Sequence, residues 1–299
     1  MENNEMNFRA IFMRMDKIFP HPINMDDIHG MKRRRLTAEE KKRPYAKYYH
    51  KKLAEIPAAD LEKVNAGPID PKLATSIQDR NNLMKPGYLP VETGYTVMPD
   101  GSGFAATLVK MQGVTPEMLN WWFNWHPLED LRYALWCPVA HTGISVKNPA
   151  QHLDSYGVPL KIRNYGSIHF PVEGFNVKGA DMIRIEFFSP EDFGLDMNMF
   201  KEPEIASAYC ANVIIKALRL PFCVFFHAIR EVDEGIEFRS RYWIWQTMKR
   251  GRPKKIILPS PHKIIMDLAR NNCLHSLTEY NNLASFLPQL YREMEGKIL

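Results

Sequence analysis

The chain lacks the features that would set it apart from ordinary globular proteins. No apolar run approaches the roughly 18 residues of a membrane span. The stretch MENNEMNFRAIFMRMDKIF carries acids and asparagines where a secretory peptide would carry an apolar core. These two absences predict a cytoplasmic location and no membrane partner. Cysteine is scarce. Cys137, Cys210, Cys223 and Cys273 are far apart with no CxxC pair, which argues against a disulfide framework or a thiolate zinc finger. All four read as reduced, structural thiols, three of them inside apolar patterns. Internal repeats and low-complexity segments are also missing, so nothing points to a solenoid or a long linker.

What is present is a 299-residue chain with 45% hydrophobic and 24% charged residues, enough for a large core in one or two domains. The net charge of +5 is modest but unevenly placed, in Lys32-Arg33-Arg34-Arg35, Lys41 to Lys52 and Lys249 to Lys255. Such runs ordinarily form solvated faces. The last, Lys249-Arg250-Gly251-Arg252-Pro253-Lys254-Lys255, resembles a minor-groove-binding hook. It lies between a strand pattern and a helix pattern, however, and reads as a basic turn. No nucleic-acid partner is expected.

The pattern changes near residue 100. Before it, Thr37-Ala-Glu-Glu reads as a capped helix start leading into Lys41 to Ala54, and Pro57 to Val64 as another short helix. Little in that region alternates as a strand would. After it come strand-like runs at Phe104 to Gln112, Gly166 to Phe170, Met182 to Phe188, Ala206 to Leu218, Phe222 to Val232 and Ile236 to Met248. A long helix follows from Pro261 to about Ala284. The expected division is therefore a mainly helical region over residues 1–100 and a domain over 101–299. The expected class is α+β: a curved antiparallel sheet of six or seven strands wrapped on the C-terminal helix, the helix-grip layout, with a cavity between them.

Two distant segments carry the chemistry. In His275 to Pro288 (HSLTEYNNLASFLP), His275 and Glu279 leave one helix face within reach of one ion. Asn271, Asn272 and Leu268 share that face at one-turn spacing. Trp121 to His141 (WWFNWHPLEDLRYALWCPVAH) offers further ligands in His126, Glu129, Asp130 and His141, and holds four of the six tryptophans. The hairpin around Asp233-Glu234-Gly235, read with Glu234-Gly235 as the turn, places His227 opposite Tyr242. Their neighbours Cys223, Phe225, Ile229, Phe238, Ser240 and Ile244 make that face the buried one, and Arg230, Glu237, Arg239 and Arg241 fall on the other. A His and a Tyr on an apolar face need partners, which a core pair or a ligand cavity would supply.

The pattern WHPLEDLRYxLWxPxAH followed by HxxxExxNLASFLP resembles the 2,4-diacetylphloroglucinol hydrolase and phloretin hydrolase family, from about Val91 to the C-terminus. The resemblance implies a zinc-dependent hydrolase with a helix-grip domain of the pollen-allergen and START type. Such an enzyme cleaves the carbon–carbon bond between an acyl group and a phloroglucinol ring in a small-molecule acylated polyphenol. It further implies a homodimer joined through the N-terminal region. Carried over residue by residue, it places the zinc ligands at His141, Glu173, His275 and Glu279, with His126 as the rival histidine. The pocket residues fall at Tyr133, His227 and Tyr242. A polar pocket residue shortly after the first histidine has no counterpart at Ile144 or Ser145. Two alternatives stay open: a carrier of aromatic or polyketide ligands, and a related polyphenol cyclase or decarboxylase.

Overall fold

The computed structural model describes residues 25–150, 159–176, 179–201, 204–216, 219–256 and 261–298. The first 24 residues of the expected N-terminal region lie outside these, as do most of the loop around 151–158 and the end of one expected strand at Ala217 and Leu218.

Three short α-helices come first: α1 (Ala38–Lys41), α2 (Ala46–Tyr49) and α3 (Ala58–Asn65). The capping box read at Thr37 is present, the Thr37 hydroxyl accepting from Glu40 N while the Glu40 carboxylate accepts from Thr37 N. The continuous helix expected over Lys41 to Ala54 is instead two single turns. Strands β1 (Gly94–Val97) and β2 (Gly103–Gln112) then pair antiparallel. Thr115 caps α4 (Pro116–Trp125), with Pro116 in its first turn where a missing N–H costs nothing. A 3-10 turn leads into α5 (Asp130–Trp136).

The remaining strands are β3 (His141–Val146), β4 (Ile168–Asn176), β5 (Gly179–Phe188), β6 (Ser207–Ile215), β7 (Leu220–Val232) and β8 (Gly235–Ile244). They join β1 and β2 in one antiparallel sheet of order β1-β2-β8-β7-β6-β5-β4-β3. The basic segment at Lys249 to Lys255 forms a separate hairpin of β9 (Gln246–Lys249) and β10 (Arg252–Lys255) turning at Arg250-Gly251. The last helix, α6 (His262–Glu293), packs chiefly on β1 and β2. It runs through Pro288 well past Ala284. The proline removes one helical hydrogen bond without ending a helix held by its packing. That packing is a stripe at three- and four-residue spacing, Ile265, Ala269, Cys273, Leu277, Tyr280, Leu283, Leu287 and Leu290, all buried. Each large apolar side chain in it contributes about 2 kcal/mol by leaving water.

The architecture is mixed α and β, with a large antiparallel sheet and a long C-terminal helix. It departs from the sequence reading in two respects. Two edge strands, β1 and β3, were not expected, and the sheet is buried on both faces. Against the inner face packs the core that contains α4, α5 and α6; against the outer face a second core joins Ile77, Leu83, Met84 and Val91 to Phe104, Val224, Phe226 and Trp243. Arg239 and Arg241, expected on the exposed face, are 1% and 0% exposed. Glu92 accepts from both guanidiniums, and the carbonyls of Leu83, Val91 and Ser240 accept further hydrogen bonds from them.

The hairpin register also differs. Val232 pairs with Gly235, so the turn is Asp233-Glu234, and the strands slide by two residues. His227 faces Ser240, and Tyr242 faces Phe225. The reason lies in β2: a Cβ on Gly235 would stand 2.2 Å from Met111 O. Gly235 is thus a strand residue that lets a neighbouring backbone approach, rather than part of the turn. A slide of two keeps parity, so His227, Ser240 and Tyr242 still share the inner face.

Candidate functional site

A cavity of about 190 Å³ lies between the inner face of the sheet and α6. Its walls are largely apolar, with polar groups gathered mainly at two places and His169, Asn271 and Asn272 apart from them. The first is a buried group of His141, Glu173 and His275, whose ligand atoms all lie within 4.8 Å of one another. His141 opens β3 directly after the turn in which its own N–H and that of Ala140 donate to Cys137 O. Glu173 sits opposite it on β4. His275 comes from α6, and Glu279, one turn on, reaches both histidines, its Oε2 lying 3.3 Å from His275 Nε2 and 3.5 Å from His141 Nε2. All four residues expected to ligate are therefore brought together, Glu279 bridging the imidazoles.

The surroundings hold these groups in place. The His141 ring stacks on Tyr133 at 4.1 Å with planes 3° apart, and the Tyr133 hydroxyl donates to Glu173 Oε1. Burial pushes the Glu279 carboxyl up, but the charge of His275 and the closeness of both imidazoles outweigh it and bring it down to about 2. His275 is displaced upward: burial opposes its charge, and Glu279 more than compensates. The donor set suits a cation. Two imidazoles and two carboxylates converge in a buried place, and His141 Nε2 makes no hydrogen bond of ordinary geometry there. A buried His/Glu group of this composition could hold a metal ion.

The second polar place is on β7, β8 and α6. His227 Nδ1 lies 2.9 Å from Ser240 Oγ, and its Nε2 3.3 Å from the Tyr280 hydroxyl. Tyr242 donates to Ser276 Oγ at 3.1 Å. Burial holds His227 neutral, down to about 3, and pushes the phenols of Tyr133, Tyr242 and Tyr280 well above their ordinary value. Near neutral pH this wall therefore offers neutral donors rather than charges.

His126, the rival histidine, is elsewhere engaged. It stacks between Trp122 and Tyr133, with Nδ1 2.8 Å from Trp122 O, and lines the cavity outside the ligand group. Glu129 accepts from Tyr45 and pairs with Arg43 and Arg132, while Asp130 accepts from Ile144 N at 2.7 Å. These acids fasten the motif. Of the tryptophans, Trp136 alone lines the cavity among the described residues; Trp121, Trp122, Trp125, Trp243 and Trp245 are core. The sequence does not mark Tyr280 or Ser276 as site residues, and shows Ser240 only as a neighbour on the buried face. Tyr280 follows Glu279 directly and lay in view, but its contact with His227 depends on how α6 lies across the sheet.

The profile described as DAPG hydrolase PhiG domain matches residues 73–292, beginning somewhat before the Val91 expected from the motifs. The 2,4-diacetylphloroglucinol hydrolase of Pseudomonas protegens is 30% identical over 278 residues, covering 87% of this chain and 87% of that protein. Phloretin hydrolase of Eubacterium ramulus is 32% identical over 263 residues, covering 86% and 93%. Among solved structures, the one titled Crystal structure of Ara h 8.0201 aligns with a TM-score of 0.34 at 11% identity, over 60% of this chain and 98% of that one. That likeness is too weak to argue from.

Proposed function

The chain belongs to the DAPG hydrolase family, and from that premise we propose that it is a zinc-dependent hydrolase of acylphloroglucinols. It cleaves the carbon–carbon bond between the acyl carbonyl and the ring in a compound such as diacetylphloroglucinol or phloretin. The observation that carries this reading is the pairing, in one cavity, of the His141, Glu173 and His275 group with a wall of neutral donors at His227 and Tyr242. The carrier and the cyclase or decarboxylase alternatives are not favoured, since the named relatives are hydrolases.

The reaction adds water across an aryl ketone. A ring phenol first takes its keto form, which turns the aryl–acyl bond into that of a β-diketone. Water oxygen then bonds to the acyl carbon, and the bond to the ring breaks with its electron pair moving onto the ring as an enolate. The ring carbon keeps the proton it took in the keto form, and a proton delivered to the enolate oxygen restores the phenol, leaving the ring and a carboxylic acid. His141, Glu173, His275 and Glu279 would hold the zinc, a borderline ion that accepts imidazole and carboxylate. Bound there, it supplies Lewis acidity toward the carbonyl and toward water. Tyr133 holds Glu173 in place through its hydroxyl. His227 and Tyr242 receive the ring hydroxyls and return the proton, as general acids within hydrogen-bond reach.

We assign the layout to the helix-grip class, residues 1–100 to a dimerisation region of a cytoplasmic homodimer and 101–299 to the catalytic domain, with neither nucleic acid nor membrane as a partner. Mass in solution tests the dimer. The enzyme reading predicts about one zinc per chain in protein purified without chelators, and release of a free phloroglucinol ring and a carboxylic acid from acylphloroglucinols. A folded, zinc-loaded protein that binds these ketones and leaves them intact would sink it.

A further inference from the structure

The rows of side chains that cross the sheet sort the cavity by polarity. A bulge in β3 pairs His141 with Glu173, Gly143 with Val172 and Ile144 with Pro171, so Ile144 rather than Gly143 follows His141 on the cavity face. Asp130 pins the bulge by accepting from Ile144 N, beside a glycine whose added Cβ would meet its carboxylate at 3.2 Å. The pairing of β4 with β5, Val172 with Met182 and His169 with Ile185, sets Pro171 opposite Ile183, and Ile183 pairs with Ile215 on β6. Ile144, Pro171, Ile183 and Ile215 thus form one continuous row, and all four line the cavity. The row stands two residues from Glu173 along β4, about 7 Å on.

The opposite corner differs in kind. His227, Ser240 and Tyr242 lie on β7 and β8, with Tyr280 above them on α6. A polyhydroxylated ring finds at that corner a cluster of neutral partners for its hydroxyls. Laid on the isoleucine row, each buried hydroxyl without a partner would cost at least about 1 kcal/mol. With the acyl carbonyl at the His/Glu group and the ring hydroxyls at His227 and Tyr242, whatever follows the carbonyl is left to the apolar row beside Glu173.

Building on the proposed reaction, we propose that the row Ile144–Pro171–Ile183–Ile215 receives the acyl tail, and that among phloroglucinol ketones the protein prefers those with a hydrocarbon tail of three or more carbons, alkyl or aryl, over acetyl ketones. A tail of that length starts at the metal group and reaches the row two residues away. An acetyl methyl does not reach it.

The test uses the zinc-loaded full chain and phloroglucinol ketones with straight acyl chains of two to six carbons, together with the 3-phenylpropanoyl ketone. Binding is measured by calorimetry and turnover by product release, each separately. In the wild-type protein, affinity and kcat/KM rise about threefold per added methylene over this range, chiefly through KM. Ile144→Asn and Ile183→Asn each cut the ratio of longest to shortest substrate at least tenfold. Tyr242→Phe lowers kcat for every chain length and leaves that ratio standing. A wild-type preference for acetyl, or a flat series, overturns the inference while leaving the hydrolase reading intact. A rising series in binding with no turnover of any ketone overturns the hydrolase reading and leaves the row as the tail site.

Discussion

The two faces of one hairpin carry opposite arrangements of polar groups. On the outer side of β8, Arg239 and Arg241 are buried and tied to Glu92 and to the carbonyls of Leu83 and Val91. On the inner side, Ser240 and Tyr242 stand beside a cavity, and the groups near them are held by few and single hydrogen bonds. The outer polar groups fasten a covering segment, whereas the inner ones are kept available. The contrast shows that burial of charge does not itself mark a site; what marks it is burial beside space.

The sharpest way to break the comparison is to remove ligands from the inner face. His275→Ala with Glu279→Ala should abolish bound metal and lower turnover by at least about a thousandfold, read by elemental analysis and product release. Metal retained in full by that variant would show that the group is not the site. Next, Glu92→Ala on the outer face should destabilise the fold by about 3 to 5 kcal/mol, because it strands two buried guanidiniums. Its metal content and kcat should hold at temperatures where it stays folded; a urea midpoint unchanged from wild type would refute the account of that network.

Acid should act on the inner face in a predictable direction. His227 is neutral in the folded protein down to about 3, against an ordinary value near 6.5. The unfolded chain therefore gains a proton there that the native one refuses. Stability from this residue is intact above about pH 6.5 and drains away as pH falls toward 3, by on the order of a few kcal/mol. His227→Gln should flatten that part of the curve of unfolding free energy against pH, and an equally steep curve in the variant would count against it. The smallest effect belongs to Tyr88→Phe, which deletes the 2.6 Å hydrogen bond to buried Glu237 at the rim of the outer face. It should cost about 1 kcal/mol by chemical denaturation and leave the inner face untouched.

Much of this was legible in the sequence, for reasons that can be stated. Alternation gave the inner set of β7 and β8, because parity survives a register slip of two; it could not give the register, since Gly235 serves β2 rather than the turn. The i and i+4 spacing put His275 and Glu279 on one face, and the family motifs supplied His141 and Glu173. Their convergence depends on the bulge in β3, which no periodicity announces. The second core was hidden because Arg239 and Arg241 look like surface residues until Glu92, from far earlier in the chain, is seen between them. Strand β1 was missed for a similar reason: four residues in a region of turns carry too little pattern, and neighbouring β2 makes them a strand.

The clustering of indoles gives the molecule an optical property. Trp121, Trp122 and Trp125 lie within 4.9 to 5.8 Å of one another in two of the three pairings. Trp122 meets Trp136 at 6.2 Å, and Trp136 stands 5.4 Å from the His141 ring. Light absorbed anywhere in this array can migrate between rings at such separations and reach the indole that borders both the imidazole and the cavity. The intrinsic emission of the chain should therefore respond to what occupies that space, making the protein its own reporter of ions and ligands without any added label.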